Sequence, residues 1–150
     1  EPGVDMKTAY LEARKEKIAT ALIDIHIRTT LKKFSKIPFT KKIGLAFSLF
    51  SKGFKKEYKN KLYFNPKDGV PGDKQIELMM GMIEKEVPLL YKILIQDRNV
   101  HMSNKILELK KNHSGPVMVV VGAGHVKGME EILQNKLLSN QVSFSFNVEV

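Results

Sequence analysis

The segment Val117–Met129, VMVVVGAGHVKGM, constrains the fold of this chain more than any other feature. Five apolar residues lead into Gly122, Ala123, Gly124 and His125. A short apolar run that ends in glycine predicts a buried strand that turns into a helix. Open α/β sheets bind ligands beside the carboxyl ends of such strands, and the amides at a helix start favour anions. His125 is therefore the first candidate site residue, suited to binding a metal, transferring a proton or donating to an oxyanion.

Three other interpretations of this segment need weighing. Its glycine spacing, G-x-G-x-x-x-G, departs from the dinucleotide-binding pattern G-x-G-x-x-G, and the Gly-Lys-Ser/Thr of a P-loop is missing. A plain strand–helix corner, in which His125 only caps the turn, fits the residues equally well. From the residues alone, the functional and the plain corner both stay open.

The rest of the chain predicts an α/β domain that is rich in helices. The β-branched run Ile18–Ile27 predicts a second buried strand, and the alternation in Gln141–Val150 predicts a strand with one buried face. Helices are predicted over Met6–Lys17, Leu31–Ser35 and Phe39–Lys61, from Lys74 to an interruption at Pro88, through Leu89–Ile95, on to about Lys111, and over Met129–Leu138. This order predicts a single domain over residues 1–150 with a small mixed sheet.

The formal net charge of +9 rests mainly on lysine, and the excess is concentrated between Lys32 and Lys61, where Glu57 is the single acid. Lysine lacks the planar fork with which arginine recognises bases, so we expect no nucleic-acid partner. The segment Phe39–Lys61 predicts an amphipathic basic helix that suits an anionic membrane surface. Alternatively, its apolar face packs on the domain and its lysines are solvated. Because the chain has no cysteine, a metal site needs histidine and carboxylate ligands.

A second candidate group surrounds Asp97. Asp97 and His101 are four residues apart, so on one helix they share a face and suit a metal or an Asp–His pair. Arg98 beside them suits a carboxylate or a developing negative charge. The alternative is an acid at a helix start in a surface salt bridge. Asp24 and His26 are two apart on a predicted strand and point the same way.

Six blocks of this sequence resemble the TraB/PrgY family, which is related to the Tiki metalloproteases and to the erythromycin-esterase and ChaN-like groups. The blocks are Pro2–Met6, Leu22–Lys32, Phe39–Phe50, Glu77–Leu90, Asp97–Met102 and Val119–Met129. The last block resembles VVGxGHVxGI, and Asp97–Met102 resembles ERDxYM. The resemblance covers about residues 1–130 and implies that the chain is the larger, C-terminal part of a TraB domain. The family's first strand and first GxxH element have no counterpart here.

The resemblance assigns roles to single residues. Gly122 and His125 match the second GxxH of the family, and Arg98 matches the Arg of ERD. Asp97 stands in the position of the Glu of that element, and Asn99 stands in the position of its Asp. His101 replaces a Tyr, which weakens an Asp97–His101 metal pair. Asp24 matches the Asp of a GDR element, and Asp5 stands where the family has Glu. The candidate substrate- or anion-binding residues are therefore Asp5, Asp24, Gly122 and Gly124.

By resemblance, the expected function is that of a metal-dependent, peptidase-like hydrolase at or near a membrane. His125 would be a ligand of a divalent metal (Zn, Mn or Co) or a general base, and Arg98 and Asp97 would orient substrate or water. Alone, the chain is expected to be inactive because further ligands would come from the missing segment. The alternative is a non-catalytic protein of PrgY type that binds or inhibits a peptide pheromone. A homodimer through exposed strands, including Phe144 and Phe146, and a cytoplasmic or membrane-associated location are also expected.

Overall fold

The computed structural model describes residues 3–44 and 72–139, and 75% of these residues are helical. The elements are α1 (Val4–Lys15), α2 (Ile27–Ser35), a short helical stretch at residues 39–44, α3 (Asp73–Glu86), α4 (Pro88–Tyr91), a π-helical turn (Lys92–Gln96), α5 (Asp97–Asn112) and α6 (Ala123–Ser139).

The chain divides into two compact units. The terminal unit combines Glu1–Asp24 with Asn99–Val150, and the central unit comprises Ile25–Arg98. The division falls within the first turn of α5, after Arg98. The prediction of one domain over the whole chain stays a prediction.

In the central unit, α2 begins four residues earlier than predicted. His26 precedes its first residue and accepts a hydrogen bond on Nδ1 from the backbone N–H of Arg28, over 3.1 Å. This side chain satisfies one of the N–H groups that lack a partner in the first helical turn, so the helix starts at Ile27. His26 is therefore a helix cap. Among the described residues of this unit, the buried ones are Thr30, Ile37, Val87 and Ile93.

Pro88 interrupts the helix as predicted. Helix α3 ends at Glu86, Val87 leaves helical geometry, and Pro88 becomes the first residue of α4, where its missing N–H costs no hydrogen bond. The following π-helical turn was not predicted. At its end the N–H of Asp97 donates to the carbonyl of Lys92, five residues back. Such turns shift the helix register by one residue and are frequent at functional sites.

In the terminal unit, the buried side chains of the described residues come from α5 and α6. Met102 and Met129 are the apolar ones, and their burial stabilises the unit by about 1.5–3 kcal/mol each. None of the residues of α1 is buried. Helices α5 and α6 thus carry the buried part of this unit and the polar residues that it encloses.

The predicted mixed sheet is wrong, because residues 3–44 and 72–139 contain no strand. Residues 18–26 and 113–122 are irregular, and the side chain of Met118 is 86% exposed. A strand forms only when a neighbour accepts and donates its ladder hydrogen bonds, and a β-branched run does not specify that neighbour. The third predicted strand, Gln141–Val150, lies outside the described residues.

The predicted basic helix Phe39–Lys61 is described only over its first residues. Residues 39–44 are helical, and Phe39 and Ile43 are exposed. The rest of this segment lies outside the described residues. Over the described ranges no helix has both the length and the apolar composition that a membrane span requires.

Candidate functional site

His125 lies in the first turn of α6. The helix starts at Ala123, six residues before its predicted start at Met129, so Gly124 and His125 are helical rather than part of a preceding turn. The backbone N–H of His125 donates to the carbonyl of Gly122 over 2.8 Å. The ring lies close to Gly122, since a Cβ at that glycine would be 3.7 Å from the ring Cδ2. His125 is therefore held by the backbone at a helix start.

The His125 ring contacts Asn99 on α5. Its Nδ1 is 2.6 Å from the Asn99 Oδ1, and the two residues are only 7% and 4% exposed. A buried polar group without a hydrogen-bond partner would cost about 1–3 kcal/mol. Each of these two buried side chains supplies a partner that the other needs. This pair is the centre of the candidate site.

Gly128 provides the space that the Asn99 amide occupies. A Cβ at this position would overlap the Asn99 Nδ2 and would lie 3.5 Å from its Cγ. Any larger residue at position 128 would have to displace the amide that holds His125. The third glycine of GAGHVKG therefore serves packing between α5 and α6 and not a phosphate loop.

Polar and apolar residues share the buried faces of these two helices. Asn99, Met102 and Ser103 are buried on α5, at helical spacing, and His125 and Met129 are buried on α6, four residues apart. Among the described residues, the fully buried Ser103 Oγ has no hydrogen-bond partner. The Lys136 ammonium also contacts the Asn104 side chain, on the exposed side of α5. The buried pair is therefore part of a helix–helix contact.

Asp97 belongs to an ionic cluster in the central unit. Its carboxylate accepts hydrogen bonds from Lys33 Nζ at 2.6 Å and from Lys92 Nζ at 3.3 Å. The hydrogen bond from Lys33 lowers the pKa of Asp97, burial opposes this less strongly, and Lys92 lowers the pKa further. Held between two ammonium groups, this carboxylate stays ionised and links α2 to the helix after the π turn.

The π-helical turn accounts for part of this cluster. Lys92 and Asp97 are five residues apart, and the extra residue of the turn brings them to one side of the helix. Arg98 follows directly, and its Nη1 donates to the carbonyl of Leu94 over 3.2 Å. The π-helical turn thus determines where Asp97 and Arg98, the two predicted site residues of the central unit, make their contacts.

The other predicted site residues fall into the terminal unit. Asp5 lies exposed in the first turn of α1, and Asp24 lies exposed at a bend before α2. The structure brings His125 together with Asn99, and Asp97 together with Lys33 and Lys92.

A divalent metal at His125 requires further ligands. Zinc sites use three or four protein ligands, and in residues 3–44 and 72–139 no three His, Asp or Glu side chains form such a group. The described residues thus supply one candidate ligand and do not fit a complete metal site.

Sequence reasoning noted Asn99 only as a replacement and missed it as the partner of His125. Two signals point to it. Asn99 is a polar residue three positions before Met102 on the buried face of α5, and buried polar residues need partners. Gly128, three residues after His125, indicates a close approach by another group.

Comparison with known proteins agrees with the resemblance of the six sequence blocks. The model of the TraB/PrgY/gumN family matches residues 4–137, and the chain therefore belongs to this family. An uncharacterized protein of Methanocaldococcus jannaschii is 28% identical over 155 residues, covering 99% of this chain and 36% of its own length. The chain thus spans about a third of this relative. No solved structure matches the chain.

Proposed function

We propose that this TraB-family chain carries the histidine of a site that hydrolyses peptides, with His125 as the group that accepts a proton. The observation that carries the proposal is the buried contact of 2.6 Å between His125 Nδ1 and Asn99 Oδ1. It holds an imidazole in one orientation at a helix start, as a general base requires. The match of Gly122 and His125 to the family's second GxxH supports the same residue.

In the proposed reaction, His125 takes one proton from a water molecule while the water oxygen bonds to the peptide carbonyl carbon. The ring then returns that proton to the leaving amine as the carbon–nitrogen bond breaks. The helix start favours the negative charge that develops on the carbonyl oxygen. A divalent metal bound by His125 stays a prediction, as do substrate-orienting roles for Arg98 and Asp97.

The test measures cleavage of a mixture of quenched-fluorescent peptides by the full-length protein. We compare the parent with His125→Gln and with His113→Gln, a control at an exposed histidine between α5 and α6. Loss of a general base lowers the rate by about 100- to 10,000-fold, so H125Q should lose activity and H113Q should retain it. Equal rates for H125Q and the parent, at equal folded fractions, would remove His125 from the reaction.

Asn99 also supports a second candidate function, in which the site binds a peptide without cleaving it. Asn99 stands where the family resemblance places an Asp. An amide cannot provide the negative charge with which a carboxylate stabilises an imidazolium ion, so His125 has weaker support as a base. Binding of the same peptides with no cleavage product, by parent and H125Q alike, would favour this alternative over hydrolysis.

We extend the proposal to peptides at an anionic membrane surface. Phe39 and Ile43 lie four residues apart in a helical stretch that contains Lys41 and Lys42, and all four are exposed. This combination suits an interfacial helix. Anionic vesicles added to the peptide assay should then raise the rate at low salt, whereas zwitterionic vesicles should not.

A further inference from the structure

We infer that Asn99 and Gly128 fix the tautomer of His125, so that Nδ1 carries the proton and Nε2 carries the lone pair of the neutral ring. Asn99 is thus a positioning residue for His125. The inference concerns a proton on the ring and holds whether or not the site hydrolyses peptides.

The chemistry of the two facing atoms determines which ring nitrogen carries the proton. A side-chain amide oxygen only accepts hydrogen bonds, and each nitrogen of a neutral imidazole is either a donor or an acceptor. Because the Asn99 Oδ1 faces His125 Nδ1 at 2.6 Å, the proton between them belongs to Nδ1. Both side chains are buried, at 7% and 4% exposure, so the contact lies largely away from solvent.

The tautomer also depends on the orientation of the Asn99 side-chain amide. The reverse orientation, with Nδ2 facing the ring, would require a bare Nδ1 and would produce the opposite tautomer. In the structure Nδ2 lies on the other side of the amide, in the space that Gly128 leaves open. Gly128 therefore leaves the room in which the amide lies beside the ring, and the atom that Asn99 presents to the ring determines which ring nitrogen is protonated.

This tautomer limits the chemical roles that His125 can have. Sequence reasoning left three roles open for His125, namely metal ligand, proton carrier and donor to an oxyanion. A neutral ring with its lone pair on Nε2 accepts a proton or a cation there and cannot donate from that atom. The inference therefore excludes the third role for the neutral ring, which the identity of the residue alone could not do.

The experiment is a ring-nitrogen NMR spectrum of the full-length protein, labelled with ¹⁵N-histidine, at about pH 8, where an ordinary histidine is neutral. The signals of His125 are those that disappear in H125Q. Protonated and bare ring nitrogens resonate in separate regions, and their couplings to the ring protons distinguish Nδ1 from Nε2. We expect a protonated Nδ1 and a bare Nε2, with a preference of about tenfold for this tautomer.

Four variants separate this positioning role from a general effect on structure. Asn99→Asp keeps an acceptor at the same place and should keep the tautomer, whereas Asn99→Leu should shift the ring towards the Nε2–H form favoured in water. Gly128→Ala should reduce the Nδ1–H population, although Asn99 and His125 are both present. Gly81→Ala is the matched control, since a Cβ at that helical glycine meets nothing within 4 Å among the described residues.

A bare Nδ1 in the parent protein would overturn the inference. An unchanged tautomer in folded N99L would also overturn it, because Asn99 would then have no influence on the ring. If N99L does not fold, the spectra of the parent, N99D and G128A decide the question. Activity is not needed for any of these results. A Nδ1–H tautomer that does not depend on Asn99 would overturn the inference and leave the proposed hydrolysis standing, whereas an inactive protein with the expected tautomer would do the reverse.

Discussion

Asp97 and Asn99 are two residues apart in the first turn of α5, and the clusters around them differ in charge, in exposure and in the kind of partner. Asp97 is ionised and bound by two flexible lysines, and the Lys92 side chain is 62% exposed. Asn99 is neutral, buried and bound to the rigid ring of His125. The contact of Asp97 with Lys33 is short, but solvent weakens it because the side chains are partly exposed. The contact of Asn99 with His125 is buried and fixes both the orientation of the ring and the position of its proton.

This difference identifies where function is expected. A carboxylate shared by two partly exposed ammonium groups links structural elements, and small movements of the lysines change its energy little. A buried amide–imidazole pair has few alternative arrangements, so it keeps one nitrogen in one chemical state.

The largest expected effect on stability is the difference in unfolding free energy between alanine substitutions at two helical glycines, Gly128 and Gly81. Replacing a glycine inside a helix by alanine gains about 1 kcal/mol from helix propensity, while overpacking costs about 1–3 kcal/mol. Since a Cβ at position 128 overlaps the Asn99 amide, Gly128→Ala should lower the free energy of unfolding by up to about 2 kcal/mol. Gly81→Ala should raise it by up to about 1 kcal/mol. Urea unfolding of both variants measures the difference, and a stabilised G128A would show that position 128 has room.

A smaller effect is expected from Asp97→Asn. Losing a partly exposed ion pair costs up to about 1 kcal/mol. Because the pKa of Asp97 is lowered in the folded protein, its ionised form favours folding. This contribution is present above the unfolded-state pKa and is lost as the pH falls through the lower, folded-state pKa. The difference in unfolding free energy between parent and D97N should therefore shrink between pH 7 and pH 3, in urea titrations at about these values.

Salt provides the control for this prediction. The difference between parent and D97N should also shrink in about 1 M NaCl, where charges are screened over about 3 Å. Glu108→Gln, on the exposed Lys105–Glu108 pair of α5, should have a still smaller effect. A D97N effect that is independent of both pH and salt would mean that packing, and not charge, holds Asp97.

Local sequence signals predicted the helices and their interruption, and failed for contacts between distant residues. Periodicity located α1, α3 and α5, and Pro88 marked a break because proline cannot continue a hydrogen-bonded helix. Within the described residues, the two predicted strands, Ile18–Ile27 and Val117–Val121, were wrong because strand pairing depends on a partner that such a run cannot specify. The π-helical turn was missed because a hydrogen bond five residues back leaves no characteristic composition.

The candidate site shows the same limit. The glycine-rich segment Val117–Met129 made His125 a candidate while a plain corner stayed open, and the resemblance of Gly122 and His125 to the family's second GxxH supported it. Asn99 is 26 residues away from His125 in sequence, and only folding brings the two side chains together. The reason for Gly128 likewise becomes visible only when α5 packs on α6. Sequence thus identified the candidate residue, and the structure identified Asn99 as its buried partner.

A double-mutant cycle on Asn99 and His125 tests the central claim most directly. The free energies of unfolding of the parent, Asn99→Leu, His125→Leu and the double variant give the coupling between the two side chains. A buried hydrogen bond between them predicts a coupling of about 1–3 kcal/mol, against about 1 kcal/mol or less for the equivalent Lys33–Asp97 cycle. Additive effects within about 0.5 kcal/mol would contradict the account, because Asn99 would then not hold His125.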